Sequence, residues 1–129
     1  AEVIGNNNLF SGTVRSRSGS VVILQRDDQL FYIAEHGFST DIRIGSEGFF
    51  SVRVDKMHTS QHEDMANQIT GKYIATEYIG SLETDVFEVS TNHFVHVEQH
   101  RGAIKRNYTV GQQVAIFWAA SDGVLLTNM

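Results

Sequence analysis

The sequence predicts an all-β fold, a small barrel built from two loosely repeated β-units with little helix. Three observations lead there. Short β-type runs recur at regular intervals along the 129 residues, the pattern of a barrel or sandwich. No apolar stripe at helical spacing extends over about 11 residues. The chain also says nearly the same thing twice. Asn8-Leu9-Phe10-Ser11-Gly12-Thr13-Val14 opens one half and Asn67-Gln68-Ile69-Thr70-Gly71-Lys72-Tyr73-Ile74 the other. Each half closes on a glycine followed by a strand, Gly48-Phe49-Phe50-Ser51-Val52-Arg53-Val54 and Gly111-Gln112-Gln113-Val114-Ala115-Ile116-Phe117-Trp118. Sub-repeats over about 8–56 and 67–127 are therefore expected within one region, residues 1–129, as a tandem or interlocked barrel.

The elements follow in order. Residues 9–16 read as a strand with Phe10 and Val14 on one face. Residues 21–26 and 30–34 are apolar runs separated by Asp27-Asp28-Gln29, the chemistry of a hairpin turn. A strand at 49–55 precedes the polar stretch 56–64, which has no apolar period and reads as a loop between the halves. In the second half, 68–79 is rich in Ile, Tyr and Thr, and Gly80-Ser81 breaks it. Residues 82–89 and 93–99 flank Ser90-Thr91-Asn92 as a second hairpin, and 100–108 reads as a partly basic loop. Residues 114–118 are apolar on both faces, which predicts a central, doubly buried strand. Asp122-Gly123 predicts a tight turn before a last strand at 124–127. With no proline, the turns fall to Gly, Asp and Asn.

Bulk properties narrow the function classes. The length fits one domain or two very small ones sharing a core. The net charge of −5 argues against nucleic-acid binding, which needs a clustered positive field. Without cysteine there is neither a disulfide framework nor a thiolate metal site. No signal-peptide pattern and no apolar run near the roughly 20 residues of a bilayer span appear. The start at Ala1 fits a processed chain or a piece of a longer one.

Motifs for chemistry are scarce. A P-loop needs Gly-x-x-x-x-Gly-Lys-Ser/Thr so that its backbone N–H groups cradle phosphate. Gly71-Lys72 is followed by Tyr73, and Ala66 sits where the first glycine belongs, so no ATPase activity is expected of the chain. No nucleophile elbow is present. Catalytic, cofactor-binding and metal residues are all expected to be absent. His96, Glu98 and His100 share a face if 93–99 is a strand, a possible metal triad. Positions i to i+4 of a strand span about 13 Å, too far for one ion, so a solvent-facing row is the stronger reading, with Val95 and Val97 inward. His58 and His62, beside Glu63, have helical His-pair spacing in a segment without helix signals and read as a solvated loop. The basic run His100-Arg101-Gly102-Ala103-Ile104-Lys105-Arg106 reads as solvated or as facing an acidic partner. Tyr73, Tyr78, Phe87, Phe94, Phe117 and Trp118 form either a base-stacking platform or sheet packing, and the acidic charge favours packing.

The opening Val3-Ile4-Gly5-Asn6-Asn7-Asn8-Leu9-Phe10-Ser11-Gly12-Thr13-Val14 resembles the start of the C-terminal regulatory region of ABC-importer ATPase subunits, the OB-type β-domain called TOBE. Tyr78-Ile79-Gly80 resembles the family's tyrosine–glycine strand end, and Ala115-Ile116-Phe117-Trp118 with Val124-Leu125-Leu126 its closing strands. The opening and closing phrases are most similar to the spermidine/putrescine branch. Arg53-Val54-Asp55 departs from the family's Arg-Pro-Glu. The resemblance implies a non-enzymatic regulatory and dimerisation domain of a polyamine importer, cytoplasmic and peripheral to the inner face of the membrane. Its implied partners are a second copy of itself and an ATPase domain, through which it meets the permease subunits. A second resemblance is to stand-alone molybdate-binding molbindins, which repeat an Asn-x-Leu-x-Gly-x-Val opening. That resemblance implies a small-oxyanion ligand held by backbone N–H, Ser and Lys groups at subunit interfaces. Self-association is expected on either reading, with Phe38, Phe49 and Phe50 as candidate apolar surface.

Overall fold

The computed structural model describes residues 3–4, 6–34, 42–62, 64–79, 81–99 and 107–126. Among these residues ten strands form two antiparallel sheets. The first sheet holds β1 (Val3–Ile4), β2 (Asn7–Ser18), β3 (Val21–Arg26), β4 (Gln29–Ala34), β5 (Glu47–Arg53) and β10 (Gly123–Leu126), in the order β10-β5-β2-β3-β4 with β1 beside β2. The second holds β6 (Asn67–Ile79), β7 (Leu82–Ser90), β8 (His93–Glu98) and β9 (Gln113–Trp118), in the order β8-β7-β6-β9. Helix is limited to two short 3₁₀ turns, Val54–Lys56 and Ala120–Asp122, among the described residues. The expected all-β class is what the structure shows.

The strands form where apolar residues alternate. Phe10 and Val14 on β2, Val22 and Leu24 on β3, Phe31 and Ile33 on β4, and Phe50 and Val52 on β5 all point inward. From the second sheet Phe87, Val95, Val97, Ile116 and Trp118 join the same continuous cluster. Burying each large side chain contributes about 1.5–3 kcal/mol, and this shared core joins the two sheets. The two hairpins turn where expected. Asp27, at φ 54, closes β3 to β4; Asn92, at φ 59, closes β7 to β8, with a register shift between Glu88 and Ser90. Asp and Asn tolerate this left-handed region better than most residues.

The two units correspond strand for strand, β2–β5 to β6–β9. Both opening strands carry a bulge at the same place, between Val14 and Ser16 and between Tyr73 and Ala75. Such a bulge lets one long strand bend and pair on both sides. Gly45 and Gly111 sit at φ 91 and 93 in matching turns, their N–H groups donating to Val14 O and Tyr73 O. The repeat alignment therefore shifts: Gly111 pairs with Gly45 by geometry, whereas Gly48 lies inside β5.

Each unit sends its closing segment to the other. After the first 3₁₀ turn, His58 pairs in both directions with Phe117 of β9, at 2.9 and 2.8 Å. After the second, β10 runs back and pairs with β5, Val124 opposite Ser51. The first turn packs on β8 and the second on β4.

Three expectations change. β9 is an edge strand of its sheet rather than a central one; it is still buried on both faces, through Ile116, Phe117 and Trp118, with Trp118 stacked on Phe10 and Phe31 of the other unit. The polar stretch 56–64 contains Met57, fully buried, because the chain must cross the core face to reach β9. Asp122-Gly123 is the end of a 3₁₀ turn, with Asp122 Oδ2 accepting from the Ala119 N–H at 3.1 Å.

Candidate binding cleft

The repeat places the two hairpin tips side by side. The last paired rung of the first hairpin is Arg26 opposite Gln29; that of the second is Ser90 opposite His93. A cleft of about 310 Å³ opens between them, with these four residues on its walls. Its floor is Phe10 and Phe31 from one unit and Ile69 and Val89 from the other. Thr70, Asp27 and Asp28 complete the rim. Corresponding residues of the two units thus face each other, so the cleft lies on the approximate two-fold axis relating them.

Two polar side chains at the cleft do matching work. Gln29 Nε2 donates to Gln68 O at 3.0 Å, and His93 Nε2 contacts Leu9 O at 3.1 Å. Each ties its hairpin to the other unit's opening strand. His93 is nearly buried and its ring meets Phe10 edge-on at 5.4 Å. Burial pushes its pKa down to about 4, with the nearby Arg26 charge acting in the same direction. The imidazole is therefore neutral near pH 7, and its bond to the Leu9 carbonyl makes Nε2 the donor.

Arg26 is exposed on the rim. Its Nη1 donates one long bond to Ser11 Oγ at 3.3 Å, and no carboxylate among the described residues is within ion-pair distance. Thr70 and Ser90 add exposed hydroxyls. A guanidinium with hydroxyls beside it is suited to oxygen-rich anions. Asp27 and Asp28 are exposed on the same turn and limit how much negative charge the rim accepts.

Sequence reasoning noticed the repeated Asn8 and Asn67 but missed what they do. Both are buried, at 0% and 1% exposure. Asn8 Nδ2 donates to His96 O at 2.8 Å and its Oδ1 accepts from His96 N–H at 2.8 Å. Asn67 makes the same pair with Tyr32, at 2.9 and 2.8 Å. A carboxamide offers a donor and an acceptor in the spacing of a backbone peptide. Each asparagine therefore stands in for a missing strand against the outer edge of the other unit, β8 or β4. Those edges are the ones open to unwanted pairing. The repeated opening phrase was the available signal.

The other candidates fall into place. His96 contacts Glu77 Oε1 through Nε2 at 3.1 Å, with Val95 and Val97 inward; Glu98 lies on the same half-exposed face, and His100 lies outside the described residues. No group of three metal-ligating side chains gathers among the described residues. His58 and His62 meet ring edge to face at 5.8 Å on a non-helical segment; Glu63 and the basic run 100–106 lie outside the described residues. Tyr73 and Phe87 pack with Tyr108, Phe117 and Trp118 are buried, and Tyr78 alone of the six is strongly exposed, at 66%. Phe87, Phe117 and Trp118 belong to the packed interior, and Tyr73 and Tyr108 pack against Phe87. Phe50, expected as candidate apolar surface, is instead fully buried and stacked on Phe10 at 5.0 Å; Phe49 is half-buried, and Phe38 lies outside the described residues.

No helix among the described residues is long and apolar enough to cross a membrane. No protein-family model matches the chain, and no curated protein is significantly similar to it. The fold does have a solved counterpart: a crystal structure of ModG, described as a cytoplasmic molybdate-binding protein, with molybdate bound. It is similar at 16% identity and a TM-score of 0.70, over 95% of this chain and 96% of that one. Across essentially its whole length the chain therefore has the OB-type, TOBE-like β architecture of that structure.

Proposed function

We propose that the protein is a binding module for a small oxyanion, working by capture and release without catalysis, in the cytoplasm. The observation that carries this reading is the end-to-end likeness to a molybdate-binding protein. Within the fold, Arg26 is the anchor, because it is a cation on the cleft rim without a carboxylate partner among the described residues. Titration calorimetry with molybdate, tungstate and sulfate tests it. Saturable binding of at least one, weakened by Arg26→Ala, is expected; flat heats for all three at millimolar anion would sink the reading.

A second reading is a regulatory domain of an importer ATPase subunit of the polyamine type. The opening and closing phrases favour it, since they resemble that family. In the structure Phe10, Ile116 and Trp118 from those phrases build the core, which specifies fold and no partner. This reading therefore ranks second. An upstream reading frame with a P-loop, continuous with this one in the parent gene, would move it first. Homodimerisation fits both readings. Among the described residues its surface would draw on exposed apolar positions such as Ile44 and Val110, at 68% and 72% exposure on matching turns, since β4 and β8 are met by asparagine side chains. Sedimentation velocity decides it: a 14.4 kDa species unchanged on concentration would rule the dimer out.

A further inference from the structure

We propose that the two-fold cleft takes an organic monoanion, one carboxylate head on a small apolar body, rather than a bare inorganic oxyanion. The proposal rests on the capture-and-release reading above, with Arg26 as the anion's anchor, and replaces its inorganic ligand by a carboxylate. Its size comes first. A tetrahedral oxyanion fills two to three water volumes, roughly 60–90 Å³, and the cleft holds about 310 Å³. The remainder lies over Phe10, Phe31, Ile69 and Val89. Water directly over those four side chains has apolar neighbours below it, so an apolar body there displaces it favourably. A volume near 300 Å³ with an apolar floor and polar groups on the rim is compatible with a small organic-molecule site.

Charge comes second, and it follows from where the repeat is broken. The position matching Arg26 in the other unit is Ser90, and the one matching Gln29 is His93. His93 is neutral and already bonded to Leu9 O. Among the described residues lining the cleft Arg26 is the one cationic side chain, with Asp27 and Asp28 close by on the same turn. A second negative charge on the ligand would find no second cationic side chain among the described lining residues and would meet two carboxylates. One anionic head at Arg26, an apolar body on the floor, and a hydroxyl-lined far end at Ser90 describe the fit.

Calorimetry on the full chain tests this with phenylacetate, acetate, terephthalate, benzyl alcohol and molybdate. The single tryptophan, Trp118, stacks on Phe10 and Phe31 at 5.4 and 6.1 Å and gives an independent fluorescence readout. Phenylacetate is expected to bind at least tenfold tighter than acetate, terephthalate and benzyl alcohol. Arg26→Gln, an exposed change that should leave the melting temperature in place, is expected to weaken phenylacetate tenfold or more. Val89→Ser, half-exposed, is expected to weaken phenylacetate and leave molybdate unchanged. If molybdate binds through Arg26 while phenylacetate binds no better than acetate, the proposal is overturned and the oxyanion reading stands. If phenylacetate binds through Arg26 while molybdate gives flat heats, the proposal stands and the inorganic ligand falls; if neither molybdate nor any organic acid binds, both fall. Phenylacetate binding indifferent to Arg26→Gln also overturns the proposal.

Discussion

The two halves of the molecule share their wiring and differ in their filling. Backbone devices recur at matching positions: the asparagine clamps, the bulges, the left-handed glycines and the crossing segments. The side chains they present differ. Phe10 answers Ile69 on the cleft floor, Arg26 answers Ser90, and Gln29 answers His93. The difference teaches where to look for function. What both halves keep holds the fold together; what only one half has, at the shared axis, gives the cleft its polarity.

The sharpest way to break the shared wiring is at the clamps. Asn8→Ala and Asn67→Ala each leave a part-buried N–H and C=O without a partner, at about 1–3 kcal/mol per group. Each is expected to cost about 2–4 kcal/mol in urea unfolding, the two within about 1 kcal/mol of each other. A clear inequality would show that the halves are not mechanically equivalent. The matching glycines come next. A Cβ on Gly71 would sit 2.7 Å from Phe87 Cβ, whereas one on Gly12 would sit 3.0 Å from Gln25 O. Gly71→Ala is expected to cost about 2–3 kcal/mol and Gly12→Ala about 1 kcal/mol less, as overpacking of a tight site does; the reverse order in thermal melts would contradict the packing described.

His93 separates the halves by pH. Its pKa in the fold is about 4 against 6.5 for the free group. Between those values the unfolded chain holds a proton that the folded chain does not, so stability rises with pH there. The contribution is complete above pH 6.5 and is lost as pH falls towards 4. It is on the order of 2 kcal/mol once solvent screening is allowed for. His93→Gln, which copies the other half, is expected to flatten that part of the pH–stability curve. The smallest effect is at the surface: Lys72 and Glu88 lie 3.7 Å apart with Lys72 well exposed, and Glu88→Gln is expected to change stability by less than about 0.5 kcal/mol.

The strands and both hairpins were legible because alternation and turn chemistry are local. Phe10 and Val14 shared a face in the sequence and share one in the fold, and Asp27 and Asn92 turn the chain where their side chains permit. The crossing of closing segments was not legible. His58 pairs with Phe117 and Val124 with Ser51 across distances in sequence that no local pattern encodes. β9 consequently read as central when it lies at an edge. The cleft was invisible for the same reason: Arg26 and Ser90 each look like ordinary turn-flanking residues until the repeat axis brings them together. The asparagines were visible as a repeated letter, but their role depends on strands that lie far away in the chain.

The crossing of β10 back to β5 has a consequence for synthesis. Residues 54–122 separate the two strands, so β5 waits for its neighbour until the ribosome has made most of the second unit. During that interval the outer edge of β5 is open, with Phe49 and Phe50 on it. The first unit therefore cannot finish folding as it emerges, and the nascent chain is most exposed to wrong pairing midway through translation. A ribosome stalled after residue 66 should carry a protease-sensitive chain, and release of the full length should make it resistant in a single late step.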